Sequence, residues 1–311
     1  MVTGTKIKVK KPFKFSWRQF QLQSMIWPGI IALFIFEYLT MYGVIIAFKK
    51  YNLFLGPFKS PWVGLKYFKE MFMDEYIFLA LRNTLGINIL ELIFSFPAPI
   101  IFALLLNELT NVKFKKLTQT ISYLPHFVSW VIYGGLVIAI LSPDNGILNN
   151  ILVKIGILDK PIAFMARPQY FWVIVLISSI IKNIGWGSII YLAAISSINQ
   201  EMYDAALVDG AGRVDRMRYI TIPSIITTIM IMLIFQISGM IKTGFDRIWI
   251  LQNGLNVSAS EVFETYTYKL GIVNLQFSYS TAVGLVKSIV SIILLVSANA
   301  ASRKITEESL F

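Results

Sequence analysis

The sequence predicts an all-α membrane protein of six transmembrane helices, and three observations carry that prediction. Of its 311 residues 56% are hydrophobic and 14% charged, whereas a soluble domain has about 25% charged residues. The mean hydropathy is +0.66. Six stretches, near 25–47, 83–107, 122–142, 170–197, 221–241 and 279–301, are apolar over about the 20 residues that a helix needs to cross a hydrocarbon core. None alternates in polarity as a barrel strand does, and in lipid only helices and closed barrels satisfy every backbone group. Residues 25–311 are read as one six-helix membrane domain behind a basic tail, 1–24, with no soluble domain and no internal repeat of solenoid length.

The tail holds Lys6, Lys8, Lys10, Lys11, Lys14 and Arg18 without an acid, and mixes Phe13, Phe15, Trp17 and Phe20 among them. That composition suits either a segment lying on an anionic membrane surface or a tail that only sets orientation. The first span is longer than a signal-peptide core and no small-x-small cleavage site follows, so it is expected to stay. The loop 48–82 is aromatic-rich and carries six basic residues diluted by Glu70, Asp74 and Glu75. After the second span, the short 109–121 loop concentrates Lys113, Lys115 and Lys116. The tail and this loop therefore belong in the cytoplasm by the positive-inside rule, and an even number of spans puts both termini and residues 198–220 there too.

The third span opens at Pro125-His126, where His126, the single histidine of the chain, is expected to begin a helix rather than to hold a metal. "LSPDNGILNNIL" (141–152) starts an external loop with an Asn-Gly turn signal. Residues 242–278 are too polar to span and too apolar for a free linker, so they are expected to pack on the outer mouth. Cysteine is absent, which removes disulfides and thiolate sites. The net charge of +11 is spread over tail and loops without an aromatic-interleaved basic face, so no nucleic-acid partner is expected.

Between the fourth and fifth spans lies "EMYDAALVDGAGRVDRMRYITIPSI" (201–225), with four acids and three arginines. Its small Ala205-Ala206 pair allows close helix contact, Gly210 and Gly212 supply a corner, and Pro223 opens the next helix where a missing N–H costs nothing. The spacing Asp204-Ala205-Ala206, Gly210, Ile220, Pro223 resembles the "E-A-A-x3-G-x9-I-x-L-P" signature of the membrane subunits of ABC importers, the binding-protein-dependent permeases. Asp204 stands for Glu and Ile222 for Leu. "MYGVIIAFKKYN", "SPWVGLKYF", "SYLPHFVSW", "GWGSIIYLAAI" and "QFSYSTAVGLVKS" are similar to the LplB-like permeases for complex or acidic oligosaccharides. Thr40 replaces a proline common in relatives, which predicts a straighter first helix.

The resemblance implies a permease subunit in the cell membrane, half of a heterodimeric oligosaccharide channel. Its 198–223 loop would couple to two cytoplasmic ABC ATPase domains, and an extracytoplasmic sugar-binding protein would deliver substrate. The chain itself would bind no cofactor and would not be an enzyme. A phosphate loop needs G-x-x-x-x-G-K-[ST], and Gly284-Leu285-Val286-Lys287-Ser288 has Val at the second glycine. An ion-gradient-driven transporter of a small polar solute is the alternative, for which neither inverted repeats nor paired broken helices are visible.

A charge at mid-bilayer costs roughly 2.5–3.5 kcal/mol on insertion scales, so Glu37, Glu91, Lys182 and Lys287 each require a reason. Glu91 and Lys182 fit an ion pair. Alternatively Lys182, Asn183 and Trp186 line a sugar path beside Glu91, since an aromatic face next to hydrogen-bonding groups suits a pyranose. Phe235 and Gln236 form a second such set, with packing as the plainer role of Phe235. Lys287 is expected to reach outward to the interface.

Overall fold

The computed structural model describes residues 17–306, so residues 1–16 of the basic tail and 307–311 lie outside the described residues. Helices dominate, and among the described residues the only β pairing is an isolated bridge between Lys49 and Trp62. Four helices are long and apolar enough to cross a membrane: Phe20–Phe48, Glu75–Asn107, Pro168–Ser196 and Phe277–Ala300. Two further spans are bent pairs, Val112–Phe127 with Trp130–Leu141 at 104° and Arg213–Ser224 with Ile226–Ser238 at 64°. Six spans result, as the composition predicts. Loops 49–74, 142–167 and 239–276 gather at one end, here the loop-rich end; the 108–111 and 197–212 connections mark the other.

The first span runs as one helix without a sharp break, though its ladder is not regular throughout. Residues 34–38 widen into a π turn and 40–48 tighten into a 3-10 helix. Thr40 itself is part of the reason, because its hydroxyl donates to the carbonyls of Phe36 at 2.7 Å and Glu37 at 2.8 Å and competes with the regular ladder.

The third span departs furthest from the sequence reading. Its helix starts at Val112, inside what looked like a loop, because the Asn111 side chain accepts from the backbone N–H groups of Lys113 at 3.0 Å and Phe114 at 3.1 Å. Pro125 then weakens the ladder, Val128 and Ser129 turn to extended backbone, and a new helix leaves at Trp130. Such a break strands the last carbonyls of the first helix in an apolar setting. The Lys182 ammonium satisfies them, donating to the carbonyls of Pro125 at 2.8 Å, His126 at 3.1 Å and Val128.

The fourth span is the hub. Its Phe171 and Val175 join Ile87, Ile248, Leu251 and Val262 in one core, and its Tyr191 and Ile195 join Ala103, Leu104 and Ile225 in another. The segment 242–278 folds back into the loop-rich end, burying Ile248, Leu251, Ala259, Val262, Phe263 and Tyr266. Asp74 helps hold it there by accepting from Tyr266 and, at 2.6 Å, from Tyr279. Burial first, and the Asp74 contact second, push the Tyr266 phenol up, so it remains a donor.

Gly185 lets the fourth span lie directly on the helix 112–127, since a Cβ there would stand 2.2 Å from the Ser122 carbonyl oxygen. Gly185→Val should therefore separate the two helices at a cost of about 1–3 kcal/mol. Thermal unfolding of the detergent-solubilised protein measures it, and an unchanged midpoint would contradict the packing described.

Candidate functional site

Between the second, fourth and fifth spans lies a cavity of about 710 Å³ walled by Glu91, Asn183, Trp186, Tyr191, Met232 and Gln236 among others. A second cavity of about 310 Å³ shares Glu91, Asn183 and Gln236 and adds Trp130, Phe235, Lys242 and Arg247. Together they make a partly open groove with apolar rings, three amides and a few charges. Such a surface can stack on and hydrogen-bond to a polar solute; it offers no nucleophile set against a general base.

Each wall follows from local structure. Asn183 and Trp186 are three residues apart on a regular helix and so share a face. Trp186, 45% exposed, lines the groove while its ring stacks on His126, centroids 4.6 Å apart and planes within 3°. His126 Nδ1 lies 3.1 Å from Asn183 Oδ1, and Asn183 Nδ2 donates to the Ser179 carbonyl at 3.1 Å. Thus His126 orients both groove residues from behind. The sequence pattern reads His126 as the start of a helix, whereas it lies in the last turn of Val112–Phe127; the signal that points to its role is its place after Pro125, where a broken helix aims its last turn inward.

Lys182 does not line the groove. It is 4% exposed, its donors are taken by the carbonyls of residues 125, 126 and 128, and its charge sits 5.4 Å from the Trp130 ring and 5.3 Å from that of Tyr133. The ion pair expected between Glu91 and Lys182 is likewise replaced. Glu91 faces Arg247, both carboxylate oxygens meeting the guanidinium fork, with Nη2 to Oε2 at 3.0 Å. The fourth span presents Ser179, not Lys182, toward this pair: Arg247 Nη1 donates to Ser179 Oγ at 3.1 Å. Lys287 corrects a third expectation, pairing inward with Glu264 at 3.1 Å instead of reaching for the interface.

At the opposite end, the helix Gln200–Val208 starts on Asn199, whose Oδ1 accepts from Glu201 N at 3.0 Å. It stops at Gly210, which takes φ +80°, with Ala211 N donating to the Ala206 carbonyl at 2.8 Å. Asp204 and Ala205 are exposed, Ala206 half-buried, and Leu207, Val208 and Val214 leave an apolar patch on a charged loop. Tyr203 Oη meets buried Thr221 Oγ1 at 2.9 Å, tying this loop to the base of the fifth span, where Ile220 and Pro223 enter the helix.

This combination is not confined to one protein. Residues 95–307 match the family described as binding-protein-dependent transport system inner membrane component. The chain belongs to that family. It is 44% identical over 290 residues to the protein LplB of Bacillus subtilis (strain 168), spanning 93% of this chain and 91% of LplB. It is 42% identical over 294 residues to the polygalacturonan/rhamnogalacturonan transport system permease protein YteP of the same organism, spanning 94% and 91%. A chain in the crystal structure of a bacterial alginate ABC transporter in complex with an alginate pentasaccharide-bound periplasmic protein superposes with TM-score 0.86 at 38% identity, covering 94% and 97%. As a multi-pass inner-membrane component, the chain has a groove inside the bundle and a polar loop outside it, both carried by the fourth and fifth spans.

Lys182 and Trp186 should separate in experiment. Lys182→Met strands carbonyls at about 1–3 kcal/mol and should lower the thermal midpoint by several degrees, whereas Trp186→Ala should mainly lower transport. A Lys182→Met protein as heat-stable as the wild type would refute the anchoring role.

Proposed function

We propose that this inner-membrane component forms one half of an oligosaccharide path in an ATP-driven importer. A second permease subunit completes the path, a sugar-binding protein delivers at the loop-rich end, and two ABC ATPase domains engage the 198–223 loop. The observation that carries the reading is continuity: the fourth span ends at Ser196 and the fifth begins at Arg213, so the spans that wall the groove are the ones the exposed loop joins. The ring of Trp186 beside Asn183 and Gln236 suits a pyranose face with its hydroxyls. The apolar patch of Leu207, Val208 and Val214 next to Asp204 suits a protein surface. The YteP relative and the alginate transporter are named for polysaccharides, and family membership leaves the ion-gradient alternative without support. With no phosphate loop in the chain, the energy comes from the partner ATPase.

The N- and C-termini and the 198–220 loop are assigned to the cytoplasm, the loop-rich end to the outside. Single-cysteine labelling is clean in a chain without cysteine, and Leu255, 70% exposed, offers an accessible position at the loop-rich end. Leu255→Cys should react with an impermeant maleimide in intact cells and Val112→Cys only after permeabilisation; the reverse pattern would invert the topology.

Gly210 is the sensitive point of the loop. A Cβ added there meets nothing within 4 Å, so Gly210→Val acts on the isolated subunit only through backbone strain at positive φ, about 1–2 kcal/mol. The protein should still insert while retention of the ATPase subunit falls roughly tenfold and uptake falls with it. Full retention of both would sink the coupling assignment.

A further inference from the structure

The smaller cavity is lined by two cations and one anion: Lys242, Arg247 and Glu91. Glu91 and Arg247 are 5% and 8% exposed, and a buried ion pair is a poor way to stabilise a fold, since desolvation offsets most of the attraction. Stability by itself therefore does not account for its placement in the wall of the groove.

The surroundings of the two partners are unequal. Arg247 is held without Glu91, because its Nε donates to the Thr243 carbonyl and its Nη1 to Ser179 Oγ at 3.1 Å. Its fork thus stays aimed at the cavity when the carboxylate leaves. Glu91 accepts from Arg247 alone among the described residues, and it begins a π turn, Glu91–Ser95, an irregularity that is rare in helices and frequent at functional sites. Lys242 is exposed, and its ammonium has no ion-pair partner among the described residues. One guest carboxylate would leave the lining neutral.

We propose that Arg247, with Lys242 beside it, selects carboxylate-bearing sugars in this path, and that Glu91 occupies the Arg247 fork as a resident stand-in until a substrate carboxylate displaces it. The guanidinium fork matches a planar carboxylate through two parallel hydrogen bonds, which a neutral hydroxyl pair cannot reproduce. On arrival the sugar carboxylate takes the fork and Glu91 turns to Lys242, so each anion keeps a cation throughout. As the sugar moves on, Glu91 returns. A uronic acid inside the chain of an oligosaccharide is the ligand class this fits. The inference rests on the oligosaccharide-importer reading above.

The test uses the complete importer with its binding protein in proteoliposomes, taking up a trigalacturonate or its fully methyl-esterified, neutral counterpart. Comparing the KM ratio of the two sugars between wild type and variants cancels the preference of the binding protein. Lys242→Gln should raise the ratio of KM for the charged sugar to KM for the neutral one about tenfold. Glu91→Gln should lower KM for the charged sugar by freeing the fork, where a purely structural pin would lose assembly. The double variant Glu91→Gln/Arg247→Gln keeps a neutral hydrogen-bonded pair and should abolish the charge preference. An unchanged ratio in Lys242→Gln and in the double variant, or a wild-type importer without preference for the charged sugar, overturns this proposal alone; a wild-type importer whose uptake and ATPase respond to no oligosaccharide overturns the oligosaccharide reading with it.

Discussion

A carbonyl inside a membrane protein must find its donor within the protein, and the arrangement of this chain follows from how that requirement is met at the break in the third span. Pro125 and the extended residues Val128 and Ser129 release a helix end into the bundle. One ammonium, that of Lys182, gathers three of the freed carbonyls. Because Lys182 sits in the middle of the fourth span, this capture fixes the rotation of that helix. Gly185 then permits backbone contact one turn on, and Asn183 and Trp186 are turned into the groove with His126 behind them. A different rotation would bury Trp186 and leave the lysine in the path.

The loop-rich end is held by a second chain of polar contacts. Glu91 of the second span meets Arg247, Arg247 meets the Thr243 carbonyl, Thr243 donates to Glu264 at 3.2 Å from both its N–H and its hydroxyl, and Glu264 meets Lys287 of the sixth span. Every member has a partner, which is the condition under which a buried polar network fixes one arrangement instead of weakening the core. The network joins two spans through a segment that is not itself a span. Motion of 242–251 is thereby linked to the wall of the groove.

At the other end the linkage is lighter. Among the described residues, the Tyr203 and Thr221 hydroxyls and a 4.0 Å approach of Arg213 to Glu108 are polar contacts that bring the charged loop to the fifth and second spans, and Ile198 packs on the core of Ala103, Leu104 and Ile225. An exposed pair at that distance contributes little, on the order of 1 kcal/mol or less. The 64° bend between Arg213–Ser224 and Ile226–Ser238 lies just beyond the Tyr203 contact. A force applied to the loop therefore reaches a helix that already has a joint.

The six spans, the corner at Gly210 and the importer family were legible in the sequence because each rests on local information: apolar length, helix punctuation, and residue types at fixed spacing. Asn183, Trp186, Phe235 and Gln236 were legible as groove candidates for the same reason, since helical period alone places Asn183 and Trp186 together. The pairing of charges was not. Glu91 and Lys182 were the two charges visible in the middle of spans, but Arg247 belongs to a segment too polar to read as membrane and enters the bundle only by folding back. Nor does hydropathy show that a proline will turn a helix through 104° and create the carbonyls that claim Lys182. The sequence by itself determined how many helices cross and where the chain turns, because hydrogen bonds within a helix and burial along it are local. Which face each helix shows to its neighbour, and hence which cation meets which carboxylate, was decided only by tertiary packing, where Glu91 is taken by an arginine 156 positions away.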